Sequence, residues 1–481
     1  MEALKRIAKN TAIMFAANVV KKLITLFLTM VVARYLGVEN FGKLAFATSF
    51  VVLFSIFTDF GAKVLINREI ARNKDKANKY VSNVLSMKLV LSTLMIVAVG
   101  IAANLLGYPK DTIYLLYISS VILIVQTLGE PINSSFRAYE VLKYNATTLI
   151  VQSVLQLGFA FLVIRAGLGV KELLYAYLAS DVIGFFLKFY YYNANIMIFK
   201  WEFDMEFAKN ILKSSVPFGV AALLMTLYDK VDITMLSKMV SNPDAVIGWY
   251  SAAYNLLYVF EFIPVSIGAA IYSYTSLAFL NKIEKFKFVY RKMVTYYFYF
   301  TIPLVVGTMI LAKSIIEFLY GAEYQPAVLA LQILIWSVLF KFQMYALGVI
   351  LNSMNKEKLT MKATMVSLAA NVILNLILIP KMSFIGASIA TVTAELLYFV
   401  ICFIGASKSL EKLSLLKIIY KPLLASLVMI YPVMFLDKIN LFLAMASGAI
   451  IYCLVLLLVK AFPTEDIDYA KNYLSHVFRA R

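Results

Sequence analysis

The chain has 481 residues, of which 62% are hydrophobic and 15% are charged, and its formal net charge is +18. A mean hydropathy of +0.82 excludes an ordinary soluble domain, because only about half of the residues of such a domain are apolar. The charge does not indicate nucleic-acid binding, since most of the 45 lysines and arginines fall in short loops that we expect on the cytoplasmic side of a membrane.

Apolar segments of about 20 residues recur along the chain, and this length crosses the ~30 Å hydrocarbon core of a bilayer. The segments are apolar on all sides, whereas the strands of a membrane barrel alternate apolar and polar residues. The sequence therefore predicts an all-α integral membrane protein with about fourteen transmembrane helices. In chain order they lie at residues 12–33, 43–60, 81–106, 111–130, 146–164, 172–197, 214–237, 245–274, 293–317, 326–351, 361–380, 384–405, 415–435 and 440–460.

The two halves of the chain resemble each other. Phe41-Gly42 follows the first predicted helix, and Ile247-Gly248 follows the seventh at the same relative place. Six helices are an even number, so both copies would enter the membrane from the same side. We therefore predict two pseudo-symmetric six-helix lobes and a terminal pair of helices with a cytoplasmic tail, in the ranges 1–204, 205–410 and 411–481.

Charged side chains inside the predicted helices mark the candidate site, because each costs at least about 2.5 kcal/mol at the bilayer centre. We expect the lysines of helices one and ten to line a cationic cavity that binds an anionic substrate. These lysines are Lys21, Lys22 and Lys341. We expect the acids of helices two, six, seven, eight and twelve to bind a coupling ion or to act in gating. These acids are Asp59, Asp181, Asp229, Asp232, Glu261 and Glu395.

Several of these residues also have a purely structural interpretation. Asp229 and Asp232 share a helix face and could hold a cation between them, but the lysine at position 230 could instead neutralise one of them. Lys21 and Lys22 are adjacent, so they cannot share one face, and one of them can snorkel to the interface. Asp59 precedes Phe60-Gly61 and fits a helix cap or a gate pivot as well as a binding role.

The sequence contains no phosphate-binding loop, no paired metal motif and no catalytic triad. Cys402 and Cys453 fall inside predicted helices, where we expect them to be apolar packing residues. The outer loops are too short for a catalytic domain, so we predict that the protein is not an enzyme and needs no cofactor. The membrane potential, or coupling to H⁺ or Na⁺, would then drive transport.

Short motifs run in a fixed order through most of the chain. They are Val32-Ala33-Arg34-Tyr35-Leu36-Gly37, Phe41-Gly42, Asp59-Phe60-Gly61, Arg68-Glu69-Ile70-Ala71, Ser215-Val216-Pro217-Phe218-Gly219 and Gly248-Trp249-Tyr250-Ser251-Ala252-Ala253-Tyr254. With these motifs the chain resembles the polysaccharide transport branch of the MOP flippase superfamily, which includes the Wzx-type O-antigen and lipid-linked oligosaccharide flippases.

The resemblance implies a MATE-like carrier with two lobes around a cationic cavity. Such a carrier moves a polyprenyl-phosphate-linked or diphosphate-linked oligosaccharide from the cytoplasmic to the outer leaflet by alternating access, for cell-surface polysaccharide assembly. Lys21 or Lys22, together with Lys341, would accompany the phosphate. We expect a monomer in the cell membrane, with both termini cytoplasmic, that contacts membrane lipids and works beside a polysaccharide polymerase or glycosyltransferases.

Two alternatives from the same superfamily stay open. A lipid II flippase for peptidoglycan precursors also has fourteen helices, but its cavity typically carries arginines where lysines occur in this chain. A cation-coupled multidrug exporter of the MATE type has a twelve-helix core and acidic cavities, whereas this chain has two further helices and intramembrane lysines.

Overall fold

The computed structural model describes residues 2–463, and this part of the chain consists of α-helices and short connections without a β-strand. The helices are α1 (Glu2–Val52), α2 (Ile56–Asp59), α3 (Ala62–Arg72), α4 (Ala77–Leu105), α5 (Lys110–Leu128), α6 (Glu130–Ala138), α7 (Leu142–Arg165), α8 (Val170–Asn195), α9 (Met205–Met239), α10 (Pro243–Asn281), α11 (Ile283–Tyr320), α12 (Ala327–Ser353), α13 (Glu357–Ser409), α14 (Leu415–Asp437) and α15 (Leu441–Leu458).

Two helices are long enough to cross a bilayer twice, and each bends sharply at one residue. In α1 the bend is at Gly37, with φ 70° and ψ 173°, and in α13 it is at Ser383, with φ 52° and ψ −135°. By length and hydropathy, the described residues contain 12 candidate membrane spans, and each bent helix supplies one of them. Each bend falls between two predicted helices, so each bent helix accounts for two of the fourteen predicted crossings. The 12 continuous spans therefore agree with that prediction. The predicted all-α membrane fold is confirmed.

Left-handed backbone residues recur at corresponding turns of the two halves. Such residues end helices and favour glycine, because a Cβ atom crowds the backbone there. Three pairs occupy matching places between successive crossings: Gly107 and Gly321, Glu140 and Asn355, and Gly167 and Ser383. The separation within each pair is about 215 residues, as expected of a repeat of six helices. The recurrence supports the internal duplication that the sequence motifs indicate.

The motif glycines Gly42 and Gly248 bring α1 and α10 into direct backbone contact. A Cβ atom on Gly42 would lie 1.8 Å from the carbonyl oxygen of Asp244, and one on Gly248 would lie 2.3 Å from the carbonyl oxygen of Val38. Each glycine therefore faces the residue one helical turn before the other glycine. This reciprocal contact, which only glycine permits, gives the repeated motif a structural reason.

Contacts divide the chain into two compact units, which we call unit 1 and unit 2. Unit 1 comprises Met1–Ala252 and Leu368–Ala390, and unit 2 comprises Ala253–Ser367 and Thr391–Arg481. These units are defined by proximity, whereas the predicted lobes at 1–204 and 205–410 were inferred from repetition. The lobe boundaries and the separate segment at 411–481 therefore stay a prediction, and residues 464–481 of its tail lie outside the described part.

Each unit has its own hydrophobic core. In unit 1, α3, α4 and α6 pack around the fully buried residues Ile70, Val81 and Phe136. In unit 2, α14 and α15 pack against α11, where the Tyr452 hydroxyl donates a 2.5 Å hydrogen bond to the backbone oxygen of Tyr299. The two terminal helices are thus integral to unit 2.

Candidate functional site

The helix that carries Asp59 is interrupted directly after it. Phe60 and Gly61 both have positive φ, 35° and 78°, so α2 ends and α3 starts in a new direction. A Cβ atom on Gly61 would lie 2.3 Å from the backbone nitrogen of Gly219 and 2.5 Å from the carbonyl oxygen of Ser215. The junction therefore packs on the backbone of α9, and this contact fixes the position of the Asp59 side chain.

Asp59 forms an ion pair with a lysine that the sequence analysis did not single out. The Lys88 Nζ atom of α4 lies 3.1 Å from Asp59 Oδ1, and the Lys88 side chain is 1% exposed whereas that of Asp59 is 28% exposed. A buried ammonium needs such a partner, because desolvating an isolated charge is costly. A lysine within the predicted helix 81–106 was a usable signal for this residue.

Asp59 also lines a cavity of about 320 Å³ within unit 1. This volume is at the small end of the range for small-molecule sites, about 300–1,000 Å³. The cavity lies among α2, α3, α5, α6 and α9. Its polar lining residues are Ser55, Asp59, Lys63, Gln126, Thr127, Glu130 and Thr226.

Glu130, the first residue of α6, connects the cavity to further basic side chains. Its Oε2 atom lies 3.3 Å from Lys63 Nζ and 3.6 Å from Arg137 Nη2. The N-terminal position favours a carboxylate, because unpaired backbone N–H groups give this helix end a partial positive charge. Glu130 therefore holds two basic side chains in place at the cavity.

Asp181 of α8 is buried and accepts hydrogen bonds from two glutamines. The donor Gln126 Nε2 lies 2.9 Å away, and Gln152 Nε2 donates to the other carboxylate oxygen. Lys21 of α1 lies within electrostatic range of both Asp181 and Glu130, and so does Lys188 of α8. The structure thus brings three predicted site residues, Lys21, Asp59 and Asp181, into one polar region of unit 1.

This region, which we call the unit 1 cluster, carries more positive than negative groups. Its acids are Asp59, Glu130 and Asp181, and its bases are Lys21, Lys63, Lys88, Arg137 and Lys188. Lys21 and Lys63 are exposed, whereas the neighbouring Lys22 is half-buried. A cluster with exposed lysines and excess positive charge can accommodate an anion.

The two predicted acids of α9 have different surroundings. Asp232 is buried, and its carboxylate accepts a 2.9 Å hydrogen bond from the Tyr250 hydroxyl and a 2.6 Å one from Asn375 Nδ2. Asn375 Nδ2 also donates to Asn371 Oδ1 at 3.0 Å. Asp229 is half-buried. Asp232 therefore accepts hydrogen bonds from two neutral side chains.

The remaining predicted residues, Lys341, Glu261 and Glu395, come together in unit 2. Lys341 Nζ lies 2.5 Å from Glu261 Oε1 and 3.7 Å from Glu395 Oε1. Lys341 is 7% exposed, Glu261 is 21% exposed and Glu395 is fully buried. The predicted binding and coupling roles of all these residues stay predictions.

Metal binding has no support in the described part of the chain. Residues 2–463 contain no group of three or more His, Cys, Asp or Glu side chains arranged to hold a metal ion. The two cysteines are free thiols, with Cys402 buried and Cys453 exposed.

The family assignment follows from a match that covers more than half of the sequence. The family model described as "Polysaccharide biosynthesis protein" matches residues 7–279. The chain belongs to this family. A second family model, MatE, matches residues 217–377. The matching families are those of membrane transporters and flippases, which confirms the resemblance to the polysaccharide transport branch of the MOP superfamily.

Two curated relatives have similar lengths and belong to glycan assembly by name. The probable low-salt glycan biosynthesis flippase Agl15 of Haloferax volcanii is 21% identical, over 80% of this chain and 80% of the relative. The capsular polysaccharide biosynthesis protein CapF of Staphylococcus aureus is 23% identical, over 80% of this chain and 96% of the relative.

Solved structures share the fold at low sequence identity. The lipid II flippase MurJ in an inward closed conformation has a TM-score of 0.78 and 19% identity, covering 93% of this chain and 99% of MurJ. An inward-facing multidrug resistance MATE transporter of the MOP superfamily has a TM-score of 0.68 and 16% identity, covering 81% of this chain and 94% of the transporter. These matches confirm the predicted MATE-like fold.

Proposed function

We propose that this protein moves a polyprenyl-phosphate-linked or diphosphate-linked oligosaccharide from the cytoplasmic to the outer leaflet by alternating access. The observation that carries the proposal is the unit 1 cluster, in which basic side chains outnumber acidic ones beside a polar cavity, in a chain of the polysaccharide biosynthesis protein family. The names of the relatives Agl15 and CapF support a glycan as the cargo.

The phosphate of such a lipid would need positive partners on its way across the hydrocarbon core. An ionised group at the bilayer centre is costly unless opposite charges and water accompany it. Lys21 and Lys63 are exposed and would supply these charges. Asp181 and Glu130 would keep the lysines positioned, and the sugar hydroxyls would bond to polar side chains such as Gln126. The polyprenyl tail would stay in the lipid.

The membrane potential would be sufficient to drive export. Moving one negative charge out of a cell with a negative interior gains about 2.3 kcal/mol per 100 mV. A cation exchanged at Asp229 and Asp232 would add a second driving force. Partnership with a polymerase or glycosyltransferases stays a prediction, as does the monomeric state.

A transport assay in proteoliposomes tests the proposal. Fluorescent polyprenyl-diphosphate oligosaccharide is incorporated, and its protection from a membrane-impermeant reagent is followed over time. Transfer above the rate in empty vesicles is expected. Lipid II and an organic cation are assayed in parallel, because the MurJ and MATE folds keep both alternatives open. Transfer of lipid II alone, or of the cation alone, would replace the proposal by that alternative.

The lysine role is tested by Lys21→Ala. The loss of one charge-assisted hydrogen bond, about 1.5–3 kcal/mol, lowers transport roughly tenfold or more without changing the amount of folded protein. Lys21→Arg should retain most of the activity, because it keeps the charge. Lys438→Ala, at an exposed lysine of the α14–α15 turn, is the matched control. Full activity in Lys21→Ala excludes this residue from the site.

The orientation is tested by cysteine labelling in intact cells. Cys453 is exposed and is first replaced by serine, and a single cysteine is then introduced at Lys76 or at Lys438. With both termini cytoplasmic, an impermeant reagent labels position 438 only. If position 76 alone is labelled, the topology is the reverse of the predicted one, and so is the proposed direction of transport.

A further inference from the structure

Lys341 is enclosed by a box of four side chains from two neighbouring helices of unit 2. Glu261, Tyr254 and Tyr258 come from one side of α10, and Glu395 comes from α13. The Lys341 Nζ atom lies 5.3 Å from the ring centre of Tyr254 and 5.6 Å from that of Tyr258. It also donates to the Tyr254 hydroxyl at 3.4 Å. Carboxylates and aromatic rings thus surround one ammonium group.

The chemistry of this box suits a cation. A ring face attracts an ammonium within about 6 Å of its centre, and the two tyrosines meet at 5.1 Å in an edge-to-face arrangement that presents their rings together. The box sets two carboxyl groups against one ammonium group. A phosphate would approach the ammonium against two carboxylate groups that lie within 4 Å of it, and their repulsion opposes binding.

We propose that Lys341 is a built-in ligand that fills a cation site and thereby closes unit 2 to organic ammonium ions. The lysine is tethered beside the box, so its effective concentration there exceeds that of any dissolved amine. It is then a specificity-determining residue. It keeps an acidic and aromatic site, on a fold shared with a multidrug resistance transporter, from accepting cationic cargo. This proposal is independent of the one for glycan transport.

Removal of the lysine side chain should convert the box into a site for a small amine. Lys341→Ala removes three carbon atoms and the ammonium group, which are the heavy atoms of n-propylammonium. The space left lies directly against Glu261 and the fully buried Glu395. A ligand that binds the folded protein alone raises its unfolding temperature as the ligand concentration rises.

The experiment measures thermal unfolding of the purified full-length protein with n-propylammonium and, separately, with n-propanol. In Lys341→Ala, propylammonium is expected to raise the midpoint by roughly 2 °C or more, whereas propanol has no such effect. The wild-type midpoint stays unchanged in both. Adding Glu395→Gln to Lys341→Ala removes one carboxylate and should weaken the response.

Two results overturn the proposal. One is the absence of a propylammonium response in Lys341→Ala, and the other is an equal response in the wild-type protein. If the variant unfolds during purification, the readout becomes the yield of folded protein from membranes solubilised with propylammonium or with propanol. A higher yield with propylammonium supports the proposal, and equal yields overturn it. Neither result depends on whether the wild-type protein transports a glycan.

Discussion

Lys88 and Lys341 are both buried lysines in membrane helices, but their partners differ in number and exposure. Lys88 has one acid, Asp59, which is 28% exposed at a cavity. Lys341 lies between two acids, and one of them, Glu395, is fully buried. In the unit 1 cluster basic groups outnumber acidic ones, whereas in the Lys341 box two carboxyl groups face one ammonium, and of these two only Glu261 is partly exposed.

The difference shows that a charge inside a membrane helix does not by itself indicate a binding role. In the box of unit 2, protein groups already surround the ammonium, so a ligand would have to displace them. In the unit 1 cluster, Lys21 and Lys63 are exposed, so a substrate group can reach them without displacing a protein partner. Exposure also decides which substitution in an ion pair is costly. Removing the partner of the buried residue costs more than removing the partner of the exposed one.

The largest effect on stability is expected in the ion pair of Asp59 and Lys88, in which the lysine is buried and the acid is partly exposed. Asp59→Asn leaves a 1% exposed ammonium without its anion and should cost about 3–5 kcal/mol of unfolding free energy. Lys88→Met should cost less, because water from the cavity can solvate Asp59. Unfolding of both variants in the same detergent measures the difference. An equal or larger loss in Lys88→Met contradicts the assignment of an open cluster.

A smaller difference is expected between the two acids of the Lys341 box. Glu261→Gln replaces the charged acceptor of the 2.5 Å hydrogen bond by a neutral one and should cost at most about 1.5–3 kcal/mol, the value of a bond to a charged group. Glu395→Gln should cost less, because the close pair of Lys341 and Glu261 remains. Unfolding of the two single variants and of the double variant measures this. The double variant should lose more than the sum, since it leaves Lys341 without a carboxylate.

The comparison of the two halves extends to the backbone at Gly167 and Ser383. Both residues have positive φ at corresponding bends, but only Gly167 lacks a Cβ atom. Ser383→Gly should therefore raise the unfolding free energy by about 1 kcal/mol, and Gly167→Ser should lower it by a similar amount. Opposite shifts of the two melting temperatures confirm the strain. A loss of stability in Ser383→Gly would show that the serine side chain is needed.

The smallest effect is expected for the half-exposed ion pair of Lys79 and Asp204 at 2.7 Å. The hydrogen bond from Lys79 lowers the pKa of Asp204. Because the folded-state pKa is depressed, the pair stabilises the protein above the ordinary aspartate value near 3.9 and loses this effect as the pH falls through the folded-state value. The melting temperature of Asp204→Asn should approach that of the wild type in this acidic range. If the melting temperatures of Asp204→Asn and the wild type differ by the same amount at every pH, the effect comes from the N-cap hydrogen bond that Phe207 donates to Asp204.

Hydropathy was sufficient to predict the membrane fold, and motif spacing led to the prediction of an internal repeat. A long apolar segment indicates a membrane helix, because a chain that crosses the bilayer must satisfy its own backbone hydrogen bonds and a helix does so. Lys21, Asp59 and Lys341 stand out in the sequence as charged residues within predicted helices. Lys88 and Lys188 also lie in predicted helices and were predictable in the same way, but no sequence signal pairs Lys88 with Asp59 or Lys341 with Glu395.

The sequence alone therefore established where the chain crosses the membrane and which charged residues lie inside it, because hydropathy is a local property of each segment. It did not establish which of those charges meet. That depends on which helices become neighbours and on the direction each side chain takes from its backbone, as at the break after Asp59 and on the shared face of Tyr254, Tyr258 and Glu261. Packing thus left lysines of the unit 1 cluster exposed and placed Lys341 between two acids.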